Sequence, residues 1–203
     1  THYSLNHIPF ADHGALLDPP TVDVSARCIG MLAQLGYGPD SEPIRRGIEF
    51  IKSEQEEDGS WFGRWGTNYV YGTWSALCAL NAVSEDMQAP YIREAVEWLK
   101  SRQHFDGGWG EDGASYWSDQ KDVCKSSTPS QTSWALLGLM ATGDVDDDSV
   151  KRGAEYLIKA PRTGAKWDEE YYNAVGFPKV FYLRYHGYSI FFPIWALSRY
   201  RNL

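Results

Sequence analysis

Apolar positions recur at helical spacing along almost the whole chain. Val24, Cys28, Met31 and Leu35 step by four, three and four, which predicts a helix that stops at Gly36. Ile44, Ile48 and Ile51 form a second stripe, opened by Ser41 as a cap and Pro43 in the first turn. A third helix is expected over roughly 72–83. A fourth carries Ile92, Val96 and Leu99 behind Pro90, and a fifth carries Trp134, Leu137, Gly138 and Ala141 behind Thr128 and Pro129. A sixth carries Val150, Ala154 and Leu157 behind an acidic first turn. A seventh covers about 187–201, with Pro193 bending it. No alternating strand pattern appears. Segments 58–66, 106–117 and 163–180 read as loops rich in glycine and aromatic residues.

The helical pattern contains a repeat. Arg46-Gly47-x-x-Phe50-Ile51-x-x-x-Gln55-x-x-x-Gly59-x-Trp61 returns as Glu94-Ala95-x-x-Trp98-Leu99-x-x-x-Gln103-x-x-x-Gly107-x-Trp109. A degraded third copy runs Arg152-Gly153-x-x-Tyr156-Leu157, with Pro161 and Ala165 in place of Gln and Gly, and ends at Trp167. Each unit is a helix, a tight turn, a tryptophan and another helix. Helix pairs repeating at this period imply an all-α protein built as an α/α toroid or solenoid. Trp61, Trp109 and Trp167 then read as pegs in the outer layer.

Composition narrows the function. The 203 residues carry 19 Lys+Arg against 27 Asp+Glu, a net charge of -8, which disfavours a nucleic-acid surface. The longest apolar run, 134–141, falls far short of the ~20 residues of a spanning helix. Cys28, Cys78 and Cys124 are too few and too scattered for a disulfide framework or a zinc cage, so a reducing compartment is the default. The chain opens on Thr1 rather than Met, as a processed or cut piece would, and shows no signal peptide. The distinctive number is 15% aromatic residues, including nine Trp and thirteen Tyr. Core packing accounts for most rings of this kind.

The repeats resemble the Gln-Trp repeats of triterpene cyclases. Asn6-His7-Ile8-Pro9-Phe10, Asp18-Pro19-Pro20-Thr21-Val22-Asp23, Gly59-Ser60-Trp61-Phe62-Gly63-Arg64-Trp65-Gly66, Ser127-Thr128-Pro129-Ser130-Gln131-Thr132 and Gly176-Phe177-Pro178 with Phe181-Tyr182-Leu183 are similar to the squalene–hopene cyclase family. The resemblance runs over residues 1–203 and touches only the C-terminal part of that family. It implies one fragment of a domain, the C-terminal portion of an (α/α)6 barrel, with the second domain lying elsewhere. It also implies acid-initiated cyclisation of squalene or a related linear polyprene to a pentacyclic hopanoid, with no cofactor and no metal. The implied partners are the rest of the cyclase chain and a membrane surface on its cytoplasmic side, and the resemblance admits a homodimer.

That chemistry asks for an acid, an apolar cavity, and groups that stabilise a migrating carbocation without trapping it. Aromatic faces do this by cation–π attraction, roughly 0.5–2 kcal/mol each. By resemblance the substrate-lining residues are Trp65, Tyr71, Phe177, Phe181, Leu183, Tyr185 and Tyr188, with Phe10 at a channel constriction. The family's acid sits in an Asp-x-Asp-Asp motif. Asp144-Val145-Asp146-Asp147 has that form but lies in a solvated acidic run before a helix, where capping and the helix dipole explain it. The resemblance puts the true acid before Thr1, so the isolated piece is expected to be inactive. Asp23 and Arg27 match the positions of the acid's two partners, with Arg27 standing where the family carries His.

Three other readings compete. A glycoside hydrolase on a similar toroid would need two carboxylates at roughly 5–10 Å, with Asp106, Glu111, Asp112, Asp168 and Glu169 as candidates. A zinc-dependent prenyltransferase subunit would need an Asp/Cys/His set, and no His lies suitably near a Cys. A non-enzymatic interaction module would use the apolar faces a barrel segment exposes.

Overall fold

The structure, a computed structural model, describes residues 3–9, 13, 18–124 and 126–203. Seven α-helices carry the described residues: α1 (Val22–Gln34), α2 (Glu42–Ser53), α3 (Tyr69–Ala82), α4 (Pro90–Ser101), α5 (Pro129–Ala141), α6 (Asp148–Lys159) and α7 (Tyr188–Asn202). They form two layers. The inner helices α1, α3, α5 and α7 pack side by side as an arc. The outer helices back them: α2 on α1, α4 on α3 and α5, α6 on α5 and α7. Outer helices bury one stripe each, such as Ile92, Val96 and Leu99 of α4, and face water elsewhere. The inner α5 is buried at all 13 of its residues, so it shows no stripe. Among the described residues no helix is long and apolar enough to cross a membrane.

The repeat residues explain how one pair is locked to the next. Each repeat tryptophan is buried and donates its indole N–H to a carbonyl ten residues earlier, near the end of its own outer helix. Trp61 bonds Ile51 O at 2.7 Å, Trp109 bonds Leu99 O at 2.7 Å and Trp167 bonds Leu157 O at 2.8 Å. The glutamines reach forward. Gln55 Nε2 donates to Gly59 O and to Tyr91 O at the start of α4, both at 2.8 Å. Gln103 Nε2 does the same to Gly107 O and to Ser149 O at the start of α6. Trp109 also lies against α6: a Cβ on Gly153 would come within 2.8 Å of its ring.

Three expectations are corrected. Ser41 sits at the N-cap of α2, yet its hydroxyl donates back to Gly38 O rather than capping the helix. Residues 162–183 are not a plain loop. They hold two short antiparallel hairpins, β1 (Arg162–Thr163) with β2 (Lys166–Trp167) and β3 (Ala174–Phe177) with β4 (Phe181–Leu183). Strands of two to four residues are too short to show an alternating pattern. The glycine of the third copy has moved by one place, to Gly164 at φ +65.

Gly107 tests the inter-repeat lock. It has φ +92, and a Cβ there would lie 2.6 Å from Arg152 O of α6; Gly143 has φ +88 and open space. Gly107→Ala is expected to lower stability by about 2–4 kcal/mol, from backbone strain plus collision. Gly143→Ala, with strain alone, is expected to cost about 1–2 kcal/mol. Denaturant unfolding of both variants gives the comparison; equal losses would show that the contact with α6 carries nothing.

Candidate functional site

Helix α1 starts with a buried carboxylate. Asp23 Oδ1 accepts from Thr21 Oγ1 (2.5 Å) and Val24 N (3.0 Å), and Oδ2 accepts from Trp65 N (2.8 Å). Asp23 therefore fixes the backbone that carries Trp65. One turn on, Arg27 is exposed. Its Nη2 donates to Tyr71 Oη at 3.2 Å, and its guanidinium lies 4.6 Å over the Trp74 ring and 5.6 Å from that of Tyr71. Burial pushes the Tyr71 phenol up to about 12, with the Arg27 charge opposing, so it stays protonated. Arg27, Trp74 and Trp195 open on a cavity of about 350 Å³, and Trp65 on a groove of about 560 Å³ beside Val24 and Leu32.

The aromatic residues singled out from the sequence fall into two groups. Trp65 and Phe177 lie on the same guanidinium, that of Arg64, at 4.2 and 5.6 Å, and Phe177 meets Phe181 edge-on at 5.6 Å. Trp65 and Phe181 are exposed, at 40% and 42%. Tyr185 and Tyr188 pair at 5.0 Å. Tyr188 joins a second cluster in which Trp134 touches Tyr71 (4.9 Å), Trp74 (5.9 Å, near-parallel) and Phe192 (5.5 Å). Leu183 ends β4 opposite Ala174 and is exposed. Phe10 lies outside the described residues.

Several members of these clusters escape the sequence reading. Trp74, Trp134, Phe192 and Trp195 tie Tyr71 to Tyr188. A signal exists on α7, where Tyr188, Phe192 and Trp195 step by four and three onto one face. Arg64 reads only as one letter of a motif. His13, 5.0 Å from the Phe177 ring, carries no signal at all.

The carboxylates considered for a hydrolase are all engaged locally. Glu111 accepts from Asn68 N, Tyr69 N and Val70 N and so caps α3; burial raises its pKa, against the pull of those three donors. Glu169 accepts from Ser130 N at the start of α5 and from Asn173 Nδ2, and burial raises it too. Asp106 accepts from Gly108 N and Ser127 Oγ, Asp112 from Ala114 N, and Asp168 from Thr163 Oγ1. Each is thus committed to a hydrogen bond that holds a turn or a helix start, which does not favour the hydrolase reading. Among the described residues no group of three His, Cys, Asp or Glu could hold a metal.

The Asp-x-Asp-Asp string also belongs to the outer layer. Asp144 takes a fork from Arg93 of α4 (2.7 and 2.9 Å) and the Thr142 hydroxyl (2.6 Å). Asp146 is exposed. Asp147 caps α6 through Ser149 N and binds Lys100 Nζ at 2.7 Å. Burial acts to raise the Asp144 carboxyl, but Arg93 and Thr142 outweigh it and hold it below the ordinary carboxylate value. Its contribution to stability is therefore complete above the unfolded-state value and is lost as pH falls through the lower folded-state value. Asp144→Asn is expected to lower unfolding free energy near neutrality by about 1–3 kcal/mol. The gap to wild type should close in acid. Chemical denaturation across pH checks this, and a gap that widens in acid would reverse the assignment.

Comparison with known proteins agrees with the geometry. Residues 1–202 match the family described as squalene-hopene cyclase C-terminal domain. The chain is 60% identical to a probable squalene–hopene cyclase of Sinorhizobium fredii, over 99% of this chain and 31% of that protein. It is 58% identical, with the same coverage, to a squalene–hopene cyclase of Bradyrhizobium diazoefficiens. The chain thus spans about a third of the length of the curated relatives it matches. A solved ent-copalyl diphosphate synthase from Streptomyces platensis superposes with a TM-score of 0.57 at 19% identity, over 92% of this chain and 33% of that one, and so shares the fold. With its Gln-Trp turns, helix pairs and inner aromatic clusters in place, the chain belongs to the squalene-hopene cyclase C-terminal domain family.

Proposed function

We propose that these residues form the C-terminal portion of a cyclase that converts squalene to a pentacyclic hopanoid by an acid-initiated carbocation cascade. The observation that carries the reading is the pair of aromatic clusters on the inner helices and the hairpin beside them, in a chain whose loop carboxylates are already engaged. Rings such as Trp65, Phe177, Phe181 and Tyr188 offer π faces to a passing cation. A protonated phenol at Tyr71 is a poor trap for it. The relatives named as squalene–hopene cyclases support squalene as the substrate. Tyr185 and Leu183 complete the exposed edge of the same wall.

In this reading the proton donor lies in the part of the cyclase that precedes these residues, and the piece does not turn over alone. Asp23 and Arg27, one turn apart on α1, border that acid. Among the described residues, Asp23 Oδ2 accepts from Trp65 N alone, which leaves it capacity for a second donor. Arg27 is held in place by Tyr71 and Trp74 with its charge exposed. A cation beside a carboxyl group favours the carboxylate and makes the group a stronger acid. The apolar substrate arrives from a bilayer on which the complete enzyme sits peripherally.

Two experiments in the complete enzyme test the reading. If Arg27 activates the acid, Arg27→Ala is expected to slow cyclisation roughly 30- to 1000-fold, a barrier change of about 2–4 kcal/mol. Arg27→Lys should be intermediate, since it keeps the charge and loses the fork. Arg27→His should retain activity at low pH and lose it as the ring deprotonates near neutrality. Steady-state rates across pH decide, and a wild-type rate for Arg27→Ala returns the residue to a surface role. Separately, Phe181→Ala should release partly cyclised hydrocarbons, because losing one π face destabilises a late cation and leaves the earlier cations time to lose a proton. Gas chromatography of the products reads this, and an unchanged profile would remove Phe181 from the wall.

A further inference from the structure

Arg64 is the residue the proposed function leaves unassigned, and it has the most constrained side chain in the region. The residue is 8% exposed. Its Nη1 donates to Gly176 O at 2.9 Å, across 112 residues of sequence, and its Nη2 reaches Asp18 Oδ1 at 3.4 Å. The same guanidinium lies over the Trp65 ring at 4.2 Å and the Phe177 ring at 5.6 Å.

The hairpin explains why that bond matters. The backbone from Trp65 to Thr67 runs along β3 as a third strand: Val175 N donates to Trp65 O (3.1 Å), Gly66 pairs with Ala174, and Thr67 N donates to Asn173 O (3.3 Å). This pairing covers residues 173 to 175 and stops. Beyond it the β3–β4 register shifts, because Val175 pairs with Tyr182 and Phe177 with Phe181. Gly176 is the extra residue, and a bulged residue drops out of the ladder. Its carbonyl is the one Arg64 takes. Gly176 also carries the Phe181 ring on its bare Cα, since a Cβ there would fall 2.0 Å from that ring. One guanidinium therefore touches Trp65 and Phe177 directly and holds the peptide under Phe181.

We propose that Arg64 is a positioning and specificity-determining residue, whose guanidinium sets the height of Phe177 and Phe181 against Trp65 and so decides how far the cation travels before it loses a proton. This rests on the cyclase reading above. A fork is required: its two terminal nitrogens reach Gly176 O and Asp18 separately while the same group lies over two rings, and the single nitrogen of an ammonium does not reproduce that spacing. Asp18 offsets the fixed charge, so the wall remains open to a second cation.

The test uses the complete enzyme with squalene. Arg64→Lys keeps charge and stem; Arg64→Gln keeps one amide N–H for Gly176 and loses the charge. For both, KM is expected to stay within about threefold of wild type, while partly cyclised products rise about tenfold relative to the pentacyclic product. Arg64→Lys should recover less of the wild-type ratio than its retained charge alone would allow. A wild-type product ratio in either soluble variant, whatever its melting temperature, overturns the proposal. Failure of both variants to yield folded protein also overturns it, because Arg64 would then hold the fold and not the wall. Absence of squalene cyclisation by the wild-type enzyme would instead sink the underlying function, which keeps the two failures distinct.

Discussion

The indole N–H of each repeat tryptophan, bonded to a carbonyl near the end of its own outer helix, is the interaction on which the rest of the arrangement depends. It fixes where the chain leaves the outer layer. The residues after the tryptophan are then delivered to a defined place. Two residues on, Glu111 and Glu169 reach the N-termini of α3 and α5, the inner helices of the preceding pairs. In the first copy that place is Gly63, whose N–H is taken by Asn68 Oδ1 and which has no room for a side chain. The first loop places no carboxylate there, and Arg64 and Trp65 follow directly. The aromatic wall thus begins where the repeat omits its cap.

Charge is distributed by the same logic. Glu111 is buried among three backbone N–H groups, and an anion at a helix N-terminus is favoured by the dipole. Desolvation still dominates and raises its pKa. Acids such as Glu111, Glu169, Asp144 and Asp147 are thus held at helix starts and in outer ion pairs. The groups that meet the rings are cations, Arg27 on Trp74 and Arg64 on Trp65. A ring with a cation on one face keeps its geometry, and the carboxylates described beside the first cluster, Asp18 at Arg64 and Asp23 at the Trp65 N–H, are each tied to a donor.

Much of this is legible in the sequence. The outer helices announce themselves because one face is wet: Ile44, Ile48 and Ile51 are all buried on α2. The inner helix α5 is found from Thr128 and Pro129 at its start and from Trp134, Leu137 and Ala141 at helical spacing, although burial of all its residues leaves no polar face to set that stripe off. The hairpins are invisible, because strands of two to four residues with a bulge at Gly176 present no pattern. Arg64 is invisible for a different reason. Its partners, Asp18 and Gly176, lie 46 and 112 residues away, and nothing local distinguishes it from a surface arginine. The rings of Trp74 and Trp134 are likewise linked only by the packing of α3 on α5.

The decay of the third repeat reflects which contacts stay within a copy. Gln55 and Gln103 each make one bond inside their own turn and one to the start of the next outer helix. Gly59 and Gly107 lack side chains because the next outer helix, at Glu94 or Arg152, lies under 3 Å from where a Cβ would be. In the third copy Trp167 is followed by the β3–β4 hairpin and the inner helix α7. Pro161 and Ala165 take the glutamine and glycine positions, and the turn closes on itself as the β1–β2 hairpin around Gly164. Trp167 survives because its partner, Leu157 O, lies in its own copy. The tryptophan, whose indole bond is internal to each copy, recurs in all three, while the glutamine and glycine that meet the next outer helix recur in the first two.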